Sequence, residues 1–170
     1  MTDDHGWSSG EILEEAQKRR KGSVIDVEED SVKIVIFKLG EELFAVNGGN
    51  VLEILPLSKI YFVPGCPEHI LGLINVRGDV ESVVSICGFI GLPLSVVGET
   101  SKIALMSGGG VRTGVIVDSL LDVLDIAVSS IKNTISTIED NKKGLVAGEF
   151  FYSGKTVTLL EAGNLLKRLL

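Results

Sequence analysis

Histidine, cysteine and aromatic residues are all scarce in this 170-residue chain, and each scarcity narrows what it can do. Acid–base catalysis draws on convergent titratable groups, yet there are only two histidines. His5 lies near the start, and His69 follows Pro67-Glu68 at a loop–strand junction, where a solvated or capping role is expected. The two cysteines, Cys66 and Cys87, are isolated from each other, with no CxxC. They read as plain thiols of a reducing compartment, not as a disulfide framework or a zinc site. Aromatic residues make up 5% of the chain, and no basic stripe accompanies them, which argues against nucleic-acid binding. No apolar run approaches the length that crosses a bilayer. Residues 1–4 are acidic where a secretory signal would be basic. A soluble, cytoplasmic protein with no direct membrane insertion is the expectation.

Reactive motifs are missing as well. No HExxH, GxSxG or paired-carboxylate signature occurs. Gly154-Lys155-Thr156 resembles the end of a phosphate loop, but Glu149 stands where the first glycine belongs. That stretch also joins two strand-like segments, whereas a phosphate loop opens a helix. Gly108-Gly109-Gly110 lacks the GxGxxG spacing and reads as a hairpin turn. Asp118, Asp122 and Asp125 have the spacing of a solvated face, and no further oxygen ligands complete a hard-cation site. No cofactor or metal is expected.

What the chain does have is apolar character, at 45% hydrophobic residues and a mean hydropathy of +0.36, enough for a folded core. Its net charge of −7 is uneven. Residues 1–31 hold nine acids and four bases, while residues 32–170 hold fourteen and twelve and are nearly neutral. Residues 1–31 therefore read as an arm. Ser8 and Glu11 fit a capping box, Trp7 and Ile12 a hydrophobic staple, and Gly22 a helix stop. One short helix or a polar arm fits this stretch, followed by an acidic linker over residues 26–30.

From residue 32 the pattern changes to strands. Residues 32–39 and 43–46 flank Gly40-Glu41-Glu42 as a hairpin, and residues 51–55 form a short helix or strand. Residues 69–76 and 80–86 pair about Gly78. Residues 102–106 and 112–117 then repeat the opening hairpin, and residues 118–126 repeat the acidic-apolar segment that follows it. The two copies lie roughly 70 residues apart, a weak internal duplication. A last hairpin covers residues 150–160, and a short helix residues 163–170. Many short strands punctuated by glycine indicate a mostly β fold, a barrel or a pair of barrels.

Within LGLINVRGDV, residues 71–80, one residue is out of place. Arg77 sits in a run of strand-forming apolar residues with no acid close upstream. An unpaired buried guanidinium is prohibitively costly. Arg77 must either snorkel to water or be held by an acid from elsewhere in the chain. Two function classes fit so far: a surface that binds other proteins, or a small β-barrel enzyme or ligand-binding module.

Several motifs, taken in order, resemble the CheW-type chemotaxis coupling proteins. FKLGEELFAV (37–46) is similar to the opening hairpin of that family, and VLEI (51–54) to its Val-x-Glu-Ile segment. VPGCPEHILGLINVRG (63–78) resembles its Val-Pro…Gly-Val-Ile-Asn-Leu-Arg-Gly signature. GLP (91–93), GVIVD (114–118) and LLEAGNLL (159–166) continue the match, which spans residues 32–170 and omits the arm. The resemblance implies two intertwined five-stranded SH3-like β-barrels with short helices. It implies a non-catalytic adaptor that couples the cytoplasmic tip of chemoreceptors to the regulatory domain of a CheA-type histidine kinase. The partner-binding residues it implies are Val51, Glu53, Asn75, Arg77 and Gly78, with Glu53 as the acid that would hold Arg77. A divergent scaffold in a non-chemotaxis pathway is the alternative. Ser82, Ser85 and Cys87 stand where the family pattern has proline, aspartate and arginine, and Asn47-Gly48 where Asp-Ile is common.

Overall fold

A computed structural model describes residues 29–94, 96–133 and 142–169. The expected arm helix lies outside the described residues. The chain divides after Asp30, and the fold below is that of Ser31–Leu170.

The strands run β1 (Ser31–Leu39), β2 (Glu42–Asn47), β3 (Val51–Pro56), β4 (Ile70–Val76), β5 (Asp79–Val84), β6 (Lys102–Gly108), β7 (Val111–Val117), β8 (Ser119–Ala127), β9 (Val146–Tyr152) and β10 (Lys155–Leu160). A short helix, Ala162–Arg168, follows β10. Residues 51–55 are therefore strand, not helix. The strands form two five-stranded sheets, one in the order β8-β1-β2-β10-β9 and the other β3-β6-β7-β5-β4.

Each sheet closes on itself. Beyond β8, Lys132 exchanges two backbone hydrogen bonds with Glu149 of β9, at 2.7 and 2.9 Å; beyond β3, Tyr61 does the same with Leu73 of β4, at 2.7 and 2.9 Å. Closure also demands a missing side chain. A Cβ on Gly72 would lie 2.2 Å from the Tyr61 carbonyl oxygen, and one on Gly148 would lie 2.7 Å from that of Lys132. Both distances are inside van der Waals contact, so only glycine lets the seam shut.

The two orders are the same order once each strand is matched to the one five places later. The weak duplication in the sequence is thus a structural repeat, and the repeats exchange strands. β1 and β2 share a barrel with β8, β9 and β10, while β6 and β7 share one with β3, β4 and β5. This exchange is the intertwining that the family resemblance implies.

It also explains the uninterrupted apolar run in β1. Ile34 and Ile36 point into the first barrel, with Leu43, Ala45, Phe150 and Val157. Val35 and Phe37 point into a central cluster between the barrels, with Phe44, Val46, Met106, Val115 and Val117. Strands buried on both faces lose the polar alternation of a half-exposed strand. Ala162, Leu165, Leu166 and Leu169 recur at helical spacing and seal the same cluster. The second barrel has its own smaller core of Ile74, Val76, Val83, Ile103 and Ile116.

Candidate functional site

The seam of the second barrel, between β3 and β4, carries the expected residues, built from a bulge and a turn. In β3 the register passes from Val51 opposite Met106 to Glu53 opposite Leu105, leaving Leu52 outside the ladder. Val51 is left half-buried against the central cluster, and the Glu53 side chain is 33% exposed.

Arg77 is not in a strand. Val76 pairs with Asp79, so Arg77 and Gly78 alone form the turn between β4 and β5, with φ of 50° and 91°. Positive φ at both central residues is the signature of a type I′ turn, which suits the twist of the flanking strands. The Gly78 amide donates to Asn75 Oδ1 at 2.8 Å, fastening the turn. The glycine fits this backbone without strain, whereas an arginine there sits uphill.

From that turn Arg77 reaches across the seam to β3. Its Nη1 donates to Glu53 Oε1 at 2.8 Å, and its Nη2 donates to Oε2. The fork is bidentate, the geometry in which arginine and carboxylate match best. The arginine side chain remains 72% exposed. Both alternatives drawn from the sequence therefore hold together: the head is in water and an acid from a distant segment grips it. Hydrogen bonding from Arg77 holds the Glu53 carboxyl below its ordinary range, against partial desolvation and with help from the charges of Arg77 and Arg112. In return, the Glu53 hydrogen bonds and charge raise Arg77.

A second ion pair extends the charged face. Arg112, at the start of β7, places Nη2 2.8 Å from Glu81 Oε1 on β5. The sequence offered no sign of it, because it depends on β5 lying parallel to β7, strands far apart in the chain. The face offers ionic hydrogen bonding at the surface, with no histidine or thiol among the partners of these four residues.

Of the positions that depart from the family pattern, Ser85 and Cys87 turn inward, Ser82 and Gly48 are half-buried and Asn47 is exposed. Ser85 and Cys87 are buried, with the Cys87 amide donating to Ser85 Oγ at 3.3 Å. Ser82 Oγ shares a 2.6 Å hydrogen bond with Thr113 Oγ1. None of these three is among the hydrogen-bond partners of Glu53 or Arg77. His69 does cap, though at long range: its Nε2 lies 3.1 Å from the carbonyl of Leu169, the residue that ends the last helix. Asp118 Oδ2 accepts from the Gly40 amide at 2.7 Å, holding the β1–β2 turn. Cys66 and Cys87 are both free thiols. Among the described residues, no helix is long and apolar enough to cross a membrane.

Residues 33–170 match the family described as the CheW-like domain. The chain belongs to that family. It is 25% identical over 158 residues to a chemotaxis protein CheW of Helicobacter pylori, covering 93% of this chain and 95% of that one. A chemotaxis protein CheW of Rhizobium meliloti is 25% identical over 129 residues, covering 76% of this chain and 83% of that one. The solved structure of the scaffolding protein TtCheW from Thermoanaerobacter tengcongensis is similar with a TM-score of 0.70 and 28% identity, covering 80% of this chain and 88% of that one. The mostly β fold of two five-stranded barrels is thus both the observed fold and that of a CheW scaffold.

Proposed function

We propose that this CheW-like protein is a non-catalytic adaptor of bacterial chemosensory signalling, coupling the cytoplasmic tip of a chemoreceptor to the regulatory domain of a CheA-type histidine kinase. The observation that carries the reading is the exposed, bidentate Glu53–Arg77 pair, held across the barrel seam by a turn that arginine occupies at a conformational cost. A backbone in a sparsely populated conformation, carrying a charged side chain to the surface, suits a binding site better than a packing device. Val51, Asn75 and Gly78 support it: Val51 sets the bulge beside Glu53, and Asn75 fastens the turn through Gly78. The relatives named chemotaxis protein CheW and the scaffolding protein TtCheW support the pathway and the absence of catalysis.

The test uses the receptor tip and the kinase regulatory domain from the same genome, immobilised in turn. The wild-type chain is expected to bind both. Arg77→Ala should weaken the partner docked at this face at least roughly tenfold, as truncation of a charged interface residue does, while leaving the thermal melt nearly unchanged. Glu53→Arg should do similar damage, and the exchanged pair Glu53→Arg with Arg77→Glu should recover part of it. If Arg77→Ala unfolds the chain while its folded fraction binds normally, the pair is structural. If the wild-type chain binds neither partner, the adaptor reading fails.

A further inference from the structure

The repeat that relates the barrels maps the Glu53–Arg77 site onto a counterpart in the first barrel. Val51, Leu52 and Glu53 correspond to Leu120, Leu121 and Asp122, and a bulge sets the middle residue of each trio outside its ladder. Both bulged leucines are exposed, Leu52 at 52% and Leu121 at 42%. The Arg77-Gly78 turn corresponds to Ser153-Gly154, with φ of 48° and 75°. Among the described residues, Arg77 and Ser153 are the non-glycine residues with positive φ. The backbone device is duplicated; the side chain on it is exchanged.

The acid of the second copy is satisfied without a cation. Asp122 Oδ2 accepts from the Tyr152 hydroxyl at 2.8 Å, and Oδ1 accepts from the Val123 amide at 2.8 Å. With serine in place of arginine at the turn, a cleft of about 250 Å³ stays open, lined by Leu43, Leu121, Tyr152 and Ser153 together with Lys38, Lys155 and Glu41. Neither lysine forms an ion pair among the described residues. The two lysines meet one lining acid, Glu41, with the Asp122 carboxylate bound behind Tyr152, so the cleft offers two ammonium groups outside any such ion pair without a net positive charge.

We infer that this cleft is a second docking site, which takes an acidic side chain flanked by an aliphatic one on a peptide segment of a partner. The carboxylate would stand between the Lys38 and Lys155 ammonium groups, in place of the internal acid–arginine pair of the other barrel. Leu43 and Leu121 would receive the aliphatic neighbour. The inference goes beyond the receptor and kinase reading and does not depend on Arg77.

The probe is a short synthetic peptide of alternating glutamate and leucine, titrated into the isotope-labelled full chain. Amide shifts should concentrate at Lys38, Leu121 and residues 152–155, and binding should weaken as salt rises, because exposed charges are screened. Ser153→Arg should fill the cleft, offer Asp122 a guanidinium and weaken binding at least roughly tenfold, whereas Ser153→Ala should not. Lys38→Glu with Lys155→Glu should abolish it, which decides the matter if Ser153→Arg melts early. The Glu53 and Arg77 variants should leave it unchanged. Equal binding of the glutamine-substituted peptide, or shifts spread over every surface lysine, would overturn the proposal. So would free acetate reproducing the same shifts at equal carboxylate concentration, since the cleft would then be a simple anion site.

Discussion

Arg77 joins a backbone position that favours glycine or asparagine to a side chain that no other residue type could replace. Lysine in its place would carry the charge but not the planar fork that engages both oxygens of Glu53. The pair's response to pH follows from the direction of the Glu53 shift. Its carboxyl sits below the ordinary value in the folded chain, so its favourable contribution is fully present above that value and disappears as pH falls through the lowered one. Arg77 stays charged throughout. Partner binding through this face is therefore expected to stay flat as pH falls from neutrality to the ordinary glutamate value of about 4.3 and to be lost only below it. A binding series checked by circular dichroism tests this. A loss centred near neutrality, with the fold intact, would place the controlling group elsewhere.

At the scale of the elements, the fold depends on strands buried on both faces and on two seams that tolerate no side chain. Gly72→Ala would drive a methyl group into the Tyr61 carbonyl, at a φ of 148° that already disfavours alanine. Gly148→Ala would meet both Ile131 Cγ2 at 2.6 Å and the Lys132 carbonyl. Each is expected to cost about 3 kcal/mol or more, the upper end of overpacking effects, because the obstacle is backbone. Gly88→Ala, with open space around its Cβ, is the control and should change little. Denaturant midpoints of the three variants check the order. The helix is a simpler case. Leu165 is fully buried in the central cluster, and Leu165→Ala should cost about 2–5 kcal/mol, since both transfer energy and a cavity are involved.

For the molecule as a whole, the strand exchange means that neither half of the sequence closes a barrel alone. β1 and β2 need β8, β9 and β10 to do so, and the first repeat's remaining strands complete the other barrel. Unfolding should accordingly be a single cooperative transition for Ser31–Leu170. The N-terminal arm differs from this body in charge and stands outside the unit that begins at Ser31. Deleting residues 1–30 is expected to leave the denaturant midpoint nearly unchanged. A loss of more than about 3 kcal/mol, comparable with removing a large core side chain, would make the arm part of the core.

Much of this was written locally. Strand periodicity, the glycine turns and the duplicated hairpin are properties of short segments, and each segment's own steric and hydrophobic pattern determines them. The motif order pointed to the family and to the Glu53–Arg77 pair. Other features depended on which strand edges meet. The exchange of strands, the closure at Gly72 and Gly148, the Arg112–Glu81 pair and the cleft left beside Ser153 all join residues far apart in the chain. Arg77 marks the boundary between the two. Its apolar neighbours read as one continuous strand, and only the pairing of Val76 with Asp79 put it in the turn. A period-two pattern records which way side chains face, but not where a strand ends and reverses; backbone pairing across the hairpin decides that.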